Sequence, residues 1–367
     1  MDEPAFFGDV LRRLCKERGL SVRQLAEVLH QTRGVVHPWL QGKTVPGIAE
    51  AERVDRVLNA GGILAAAARM PGANGTAERI AHVAAKPRSV DAASVDALAG
   101  VLANMRRLED SLGAEQLIVV TAEPLRLVQG LADDAVGDIR ESVVDVAGQW
   151  AQFAGWLRAA SGRPEQAREW YARTLEHATE AGNQDLIATS LSMRGNLAWM
   201  ARRPGPLIGL SAAAAEAAKS PGVRAMAEQQ EARGHALLRE ADPVDELLDA
   251  AEARMAEAAE HAEDEPPWTY FYSPGYLAMQ RGLAYRLLGR KGEAIGCLEA
   301  GLRATGDELA GAEFVAVYKI LLAETHFEAG NPDVAQALVE EVRRVAAATG
   351  SARLGGEAER LAREHDC

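Results

Sequence analysis

A small residue recurs through the second half of the chain, and this repeat restricts the fold more than any other feature. The small residue stands at Gly155, Gly195, Gly234, Gly282 and Ala323, and these positions are separated by 40, 39, 48 and 41 residues. In three copies a glycine follows seven residues later and an alanine five residues after that. A small side chain lets two helices pack closely, and a glycine can end the first helix in a left-handed conformation. The repeat predicts an all-α array of about five helix pairs over residues 136–350, then a capping helix and tail at residues 351–367.

Composition agrees with a helical chain and excludes several classes of protein. Aromatic residues make up 5% of the 367 residues, while the helix formers alanine, leucine, arginine and glutamate dominate. No run of about 18 apolar residues is present and residues 1–19 are charged throughout, so we expect neither a membrane span nor a signal peptide. The three cysteines lie far apart, which fits a cytoplasmic protein and argues against a disulfide scaffold or a zinc site.

Charge is distributed unevenly along the chain. The net charge is −13, but residues 1–70 hold ten Lys or Arg against eight Asp or Glu, so that segment is +2 and the remainder −15. Contact with phosphates needs local positive charge. Residues 1–70 are therefore the segment from which we expect contact with a nucleic acid.

Within that segment, residues 21–46 predict two short helices joined by a tight turn. Ser21 and Gln24 have the spacing of a capping box at the start of the first helix. Thr32 is placed to cap the second helix, and Gly42 stands where a glycine commonly follows a helix end. The side chains of the two helices that are predicted to face inward are Leu25, Val28, Leu29, Val35, Val36, Trp39 and Leu40.

Two short helices cannot bury an apolar face alone, so neighbouring helices must supply the other walls. The candidates are Val10, Leu11 and Leu14 before the pair, and Val54, Val57 and Leu58 after it. Residues 1–70 are thus predicted to form a five-helix domain near the lower size limit for independent folding. Proline and glycine at both ends of residues 71–89 predict a linker. Residues 90–135 have helical periodicity and are predicted to form a connector that can support a dimer.

The pattern of Leu25-Ala26, Val36, Trp39-Leu40, Gly42 and Pro46 resembles the Xre/Cro-type helix-turn-helix family over residues 6–64. The resemblance implies a lambda-repressor-like fold whose second helix enters the major groove of DNA. It implies that Arg33, Gly34 and His37 face base edges and that other residues contact phosphates. The full set of implied DNA-binding residues is Arg23, Gln24, Thr32, Arg33, Gly34, His37, Gln41, Lys43 and Thr44.

Pro38 departs from this pattern, because proline inside a helix removes an amide hydrogen bond and can kink the helix. The alternative interpretation is a degenerate helix-turn-helix that is retained only for dimerisation.

The helix-pair array resembles the tetratricopeptide repeat, although its period is longer than the usual one of about 34 residues. Such an array has a concave face, and the resemblance implies that a peptide or a small molecule binds there. The repeat template and an aromatic-rich stretch at residues 263–282 together predict Gln152, Trp156, Asn196, Trp199, His235, Trp268, Tyr270, Tyr276 and Arg286 as ligand-binding residues. Whether the aromatic stretch covers the groove as a lid or seals two repeats as a rigid plug is left open.

No enzymatic motif is evident. Phosphate-binding loops, zinc-protease motifs and nucleophile elbows are missing from the sequence, and the eight histidines are dispersed. We therefore expect no catalytic residues, no metal site and no cofactor.

The layout, a helix-turn-helix followed by a tetratricopeptide-like array, is similar to that of peptide-sensing regulators, and the composition is similar to actinobacterial ones. It implies a cytoplasmic, homodimeric, ligand-responsive transcriptional regulator that associates with the nucleoid when it is bound to a double-stranded DNA operator. The alternative is a protein-interaction scaffold in which the helix-turn-helix is secondary.

Overall fold

The computed structural model describes residues 3–58, 60, 64, 68, 79–80, 82–305 and 311–365. All regular elements among these residues are helices, so the all-α prediction is confirmed. In this described part, none of the helices is at once long enough and apolar enough to traverse a lipid bilayer. The chain divides into two compact units, one of Met1–Leu112 with Val119–Ala147, the other of Gly113–Ile118 with Gly148–Cys367.

The first unit begins with four short helices around an apolar core. They are α1 (Glu3–Glu17), α2 (Val22–Val28), α3 (Arg33–Leu40) and α4 (Ile48–Val57). The side chains of Phe7, Leu11, Leu25, Leu29 and Val36 are fully buried between them. The predicted fifth helix and much of the predicted linker at residues 71–89 lie outside the described residues.

Three valines that were predicted to face the core are exposed instead. Val28, Val35 and Val57 have exposed fractions of 45%, 39% and 41%. Each stands immediately before a buried residue, and successive residues of a helix are rotated by about 100°. That rotation carries each valine out of the narrow arc that a short helix can bury. The prediction that they line the core was wrong, because three helical turns or fewer leave room for a single apolar stripe.

The predicted connector contains three helices, α5 (Ala92–Leu112), α6 (Ala114–Val120) and α7 (Ala122–Asp134), with short 3₁₀ turns at Pro87–Ser89 and Gly137–Ile139. Helices α5 and α7 belong to the first unit, whereas residues 113–118, which include most of α6, belong to the second. The predicted role of this connector in dimerisation stays a prediction.

The helix pairs of the array follow, and they belong to the second unit from residue 148 onward. The helices are α8 (Arg140–Ala160) with α9 (Pro164–Glu180), α10 (Gln184–Met200) with α11 (Pro204–Ala217), α12 (Pro221–Leu238) with α13 (Ala241–Glu260), α14 (Pro274–Leu287) with α15 (Lys291–Ala304), and α16 (Glu313–Glu328) with α17 (Pro332–Thr349). A last helix, α18 (Ala352–Glu364), follows, with Ser351 accepting a hydrogen bond from the amide of Leu354 as its N-cap.

The repeated glycines do what the spacing predicts in most copies. Gly162, Gly289 and Gly330, which each follow the first helix of a pair, have φ angles of +71°, +81° and +80°. In the two copies that lack this glycine, Arg202 and Arg239 adopt the left-handed conformation at φ angles of +51° and +61°. The turn geometry is therefore kept even where the residue that favours it is missing.

The small residues at Gly155, Gly195 and Gly282 face the second helix of their own pair. A Cβ atom at Gly282 would lie 2.6 Å from Cγ of Leu298 on α15, and one at Gly195 would lie 3.0 Å from Oγ of Ser211 on α11. Gly155 packs in the same way against the buried ring of Tyr171 on α9. At each of these three positions, a larger side chain would crowd the second helix of the pair.

Gly234 behaves differently, and this corrects the predicted register of the third copy. A Cβ atom there would meet Ile208 Cγ1 at 2.5 Å and Leu207 Cγ at 3.3 Å, and both belong to α11 of the preceding pair. Ala225, Ala232 and Ala236 on the same helix belong instead to the core that contains α13. Gly234 is therefore not equivalent to Gly195, and residues assigned from it by the template, including His235, are displaced around the helix.

Candidate nucleic-acid interface and array interior

The start of α2 is held by the predicted capping box. The backbone amide of Gln24 donates to Oγ of Ser21 at 3.3 Å, and the backbone amide of Ser21 donates to Oε1 of Gln24 at 2.9 Å. Both residues thus satisfy amides that the helix itself leaves without partners. This confirms the predicted cap and fixes where α2 begins.

The turn between α2 and α3 is tied to α4. Nη2 of Arg53 donates to the carbonyl oxygen of Leu29 at 2.6 Å, and Nε2 of Gln31 donates to Oε1 of Glu50 at 3.0 Å. The hydrogen bond from Arg53 lowers the pKa of the Glu50 carboxyl below its ordinary value. His30 adopts the left-handed conformation at φ +50°, which turns the chain sharply between the two helices. The angle between α2 and α3 is therefore set by polar contacts as well as by the core.

The C-terminal end of α3 rests directly on α1. A Cβ atom at Gly8 would lie 2.7 Å from the carbonyl oxygen of Trp39 and 2.8 Å from the amide of Gly42, so only glycine allows this approach. Nη1 of Arg12 donates to the carbonyl oxygen of Leu40. Gly42 itself has φ +63°, as predicted for the residue that follows the helix end. Helix α3 is thus fixed at both ends while its outer face stays uncovered.

All nine residues that the resemblance implies for DNA binding are exposed to solvent. On α3, Arg33, Gly34, His37 and the C-cap residue Gln41 fall within about 100° of arc, beside the arc of the buried residues. The Nε2 atoms of Gln41 and His37 lie 2.7 Å apart, which links two of these side chains. Helix α3 continues through Pro38 to Leu40 without a break. The arrangement presents one continuous polar strip along the second helix.

The charged members of this surface differ in their protein partners. Arg23 forms an exposed ion pair with Glu27 at 2.8 Å. Within the described residues, Arg33 and Lys43 form no ion pair. Thr32 is the N-cap residue of α3, as predicted, but its side chain makes no capping hydrogen bond. Arg33, Lys43 and the hydroxyl of Thr32 are therefore available to a ligand outside the protein.

Replacing Ser21 with alanine should weaken α2 by about 1 kcal/mol, because an amide of its first turn loses its acceptor. Hydrogen exchange of the α2 amides would then be about fivefold faster, if these amides exchange by local opening. Ser21→Asp keeps an acceptor oxygen and should leave the exchange rates close to those of the wild type. Equal rates in Ser21→Ala and the wild type would mean that the capping box contributes nothing.

In the array, the nine predicted ligand-binding residues do not form one cluster. Gln152 and Trp268 are buried with 5% exposure each, whereas Tyr270 is exposed. The indole Nε1 of Trp268 donates to Oγ1 of Thr189 at 2.9 Å. The hydroxyl of Tyr272 donates to the carbonyl oxygen of Ala225 at 3.1 Å. These two hydrogen bonds hold Trp268 and Tyr272 against the helices of the array, so the aromatic stretch is a packed plug at these two residues and not a lid.

His235 and Arg286, two of the predicted ligand-binding residues, lie against carboxylates of the protein itself. Arg286 pairs with Glu328 at 2.6 Å and with Glu324 at 3.2 Å. Nδ1 of His235 lies 2.6 Å from Oε2 of Glu240. Both side chains therefore stabilise neighbouring helices in this structure.

Asn196 and Trp199 are brought together with a residue that the sequence analysis missed. The guanidinium carbon of Arg233 lies 4.2 Å from the ring centroid of Trp199. Nη1 of Arg233 donates to Oε1 of Gln230 at 2.6 Å, and Nε2 of Gln230 lies 3.4 Å from Oδ1 of Asn196. Helices α10 and α12 thus share a cation, an aromatic ring and two amides.

A second set of polar contacts extends this group across two further helix pairs. Nε2 of Gln229 donates to Oε1 of Gln280 at 3.1 Å, and Nε2 of Gln280 donates to the hydroxyl of Tyr318 at 2.5 Å. Tyr276 stands beside Tyr318, with ring centroids 5.9 Å apart. The template missed Gln229, Gln230 and Arg233 because it took Gly234 as the reference position in α12. The signal that could have found them is the run Glu228-Gln229-Gln230, which is three successive polar residues on a helix inside the array.

One exposed group of potential metal ligands exists among the described residues, His261 with Glu263 and Asp264, whose ligand atoms lie within 4.8 Å of one another. All three side chains are exposed, and surface carboxylates are commonly found together without an ion. This group is consistent with a solvated turn after α13.

Comparison with known proteins found matches to a family model and to solved structures. A family model described as a helix-turn-helix domain matches residues 7–68. No curated protein matches the chain. Among solved structures, a thermophilic TPR protein of Thermus thermophilus is similar at 17% sequence identity and a TM-score of 0.40, over 59% of this chain and 98% of that chain. The family match spans α1 to α4 and ends before α5.

Proposed function

We propose that this chain, whose residues 7–68 form a helix-turn-helix domain, is a transcriptional regulator that binds an operator through α3 and is controlled by an effector bound in its array. The observation that carries the proposal is the exposed polar strip of α3, in which Arg33 has no protein partner among the described residues. A helix held at both ends and bare on its outer face has the form that enters the major groove. The proposal includes no catalytic step.

The physical chemistry of Arg33 supports its role at the base edges. A guanidinium can donate two parallel hydrogen bonds to O6 and N7 of guanine, which is a common specific contact in DNA recognition. Lys43 and Thr44 follow the end of α3 and are exposed, so they suit phosphate contacts that position the domain. Residues 1–70 carry a net positive charge and the rest of the chain a net negative one, so DNA contact is favoured through this domain alone.

The array supports a regulatory role through its polar interior. Amide side chains link α10, α12, α14 and α16 through hydrogen bonds, and a buried polar group costs free energy unless it is paired. We propose that an effector binds among them and that the protein acts as a homodimer on an operator with two half-sites. An effector can shift the protein between two states only by its difference in affinity for them.

Selection of random duplexes by the full chain, followed by footprinting, tests the DNA-binding proposal. We expect one sequence motif to be enriched, with an affinity that falls as salt rises, because each phosphate contact releases counterions. Failure to prefer any duplex over random competitor would refute the proposal. If in addition residues 90–367 retain one protein at a fixed stoichiometry, the interaction-scaffold alternative is supported.

A further inference from the structure

We propose that Arg233 is the anion-recognition residue of the array and that the effector carries a carboxylate or a phosphate group that binds the Nε–Nη2 edge of its guanidinium. The inference rests on the proposed ligand-binding role of the array and specifies the chemical class of the ligand. Its basis is the convergence of Arg233 with Trp199, Asn196 and Gln230 between α10 and α12.

The first step concerns the hydrogen-bond donors of Arg233. A guanidinium has five N–H donors and no acceptor. Nη1 donates to Gln230 at 2.6 Å and reaches Asn196 at 3.5 Å, which is the outer limit of a hydrogen bond. Within the described residues Nε is enclosed without a hydrogen-bond partner, and Nη2 donates to no protein acceptor. The unused edge, Nε with Nη2, is a fork that matches two oxygens of a carboxylate or phosphate.

The second step concerns the missing counter-ion. Several other arginines of the array have carboxylate partners, for example Arg281 with Asp249 at 2.9 Å and with Glu252 at 3.0 Å. Among the described residues Arg233 has none. On its own helix, Glu228 pairs with Arg224 at 2.9 Å and Glu231 lies 3.9 Å from His235.

The titratable groups that act electrostatically on Arg233 are Tyr318, Tyr276 and Tyr272. Burial raises the pKa of Tyr272 and Tyr318 well above the ordinary value, so these phenols are neutral at neutral pH. Burial lowers the pKa of the Arg233 guanidinium, although a guanidinium stays protonated in proteins. Arg233 is thus a cation among neutral groups.

The third step is energetic. An enclosed charge without a counter-ion costs free energy, and the face of Trp199 offsets only part of that cost. An anionic group of the ligand would neutralise the charge of Arg233 and would accept hydrogen bonds from its two unused donors, Nε and Nη2. The site is therefore built to gain more from an anionic ligand than from a neutral one of the same shape.

Thermal unfolding of the full chain with paired probes tests the inference. The probes are N-acetylphenylalanine, its primary amide as a neutral match, and phenyl phosphate as the phosphate counterpart. At a concentration of about ten times Kd, a bound anion should raise Tm by about 3 °C, and the amide should not. A rise with the carboxylate alone, or with phenyl phosphate alone, identifies the anion that the site accepts.

The variant Arg233→Met should lose this rise, and Arg281→Met, which removes an arginine that already has carboxylate partners, should keep it. Arg233→Lys retains the positive charge but lacks the paired N–H donors of a guanidinium, so the same rise in Tm should need about tenfold higher probe concentration. This variant tests the inference if Arg233→Met does not fold. The inference is overturned if neither anion raises Tm of the wild type up to its solubility limit, or if Arg233→Met and the wild type respond equally.

Operator binding by the wild type, measured in parallel without probes, separates the two proposals. Intact operator binding with no response to anions refutes the role of Arg233 and leaves the DNA-binding proposal standing. An anion response without any operator preference refutes the DNA-binding proposal instead.

Discussion

Replacing Arg33 with alanine should reduce the affinity for the operator by about 5- to 150-fold per half-site, because a bidentate contact with guanine contributes about 1–3 kcal/mol. Arg33 is exposed at the first position of α3 and has no ion pair among the described residues, so its removal should leave the fold unchanged. The dissociation constant, measured by fluorescence anisotropy on the selected duplex and on one with the guanine replaced, checks both affinity and discrimination.

The matched control is Arg168→Ala, which removes an exposed arginine of α9 in the array. It alters the net charge by the same amount and should leave operator affinity within error of the wild type. A second variant, Lys43→Ala, should weaken binding to all duplexes alike. It should also reduce the slope of log K against log salt concentration by about 1. If Arg33→Ala binds the selected duplex as tightly as the wild type does, α3 is not the reading helix.

Replacing Gly301 with alanine should destabilise the array by about 3 kcal/mol, at the upper end of the usual cost of overpacking. A Cβ atom at this position of α15 would lie 2.6 Å from the carbonyl oxygen of Gly275 and 2.8 Å from the amide of Met279. Both atoms belong to the backbone of α14, so no side chain can rotate to relieve the clash. The Tm of the full chain, followed by circular dichroism, should fall by several degrees.

Gly296→Ala is the matched control because Gly296 lies on the same helix and a methyl group added to its Cα would have no neighbouring atom within 4 Å. There alanine should stabilise the helix by about 0.5–1 kcal/mol, since glycine is a poor helix former. The two substitutions are chemically identical and should shift Tm in opposite directions. A shift in the same direction would mean that α14 and α15 do not cross at Gly301.

The N-terminal domain shows which structural features sequence patterns can predict and which they cannot. Ser21 with Gln24 and the glycine at 42 were predicted correctly, because caps and left-handed turns depend on a few adjacent residues. Val28, Val35 and Val57 were placed wrongly, because which apolar residue of a short helix is buried depends on where the neighbouring helices lie. Hydrophobicity alone does not contain that information.

The array gives the same lesson at longer range. Its helix pairs and the left-handed glycines at 162, 289 and 330 follow from local spacing. Gly234 appeared to continue that spacing, yet it packs against Leu207 and Ile208 of the preceding pair. This offset moves Arg233 beside Trp199 and directs His235 to Glu240. The interior site of the array was therefore only partly predicted.

The sequence by itself determined the helical class, the order of the two parts, the capping box of α2, the left-handed turns and the polar strip of α3. Helical periodicity, caps and turns each depend on residues within a turn or two of one another. Only the tertiary structure decided which side of α12 faces its neighbours and which charges are left without a partner. The physical reason is that a helix can rotate by one residue at little local cost, whereas packing against two other helices selects a single rotation.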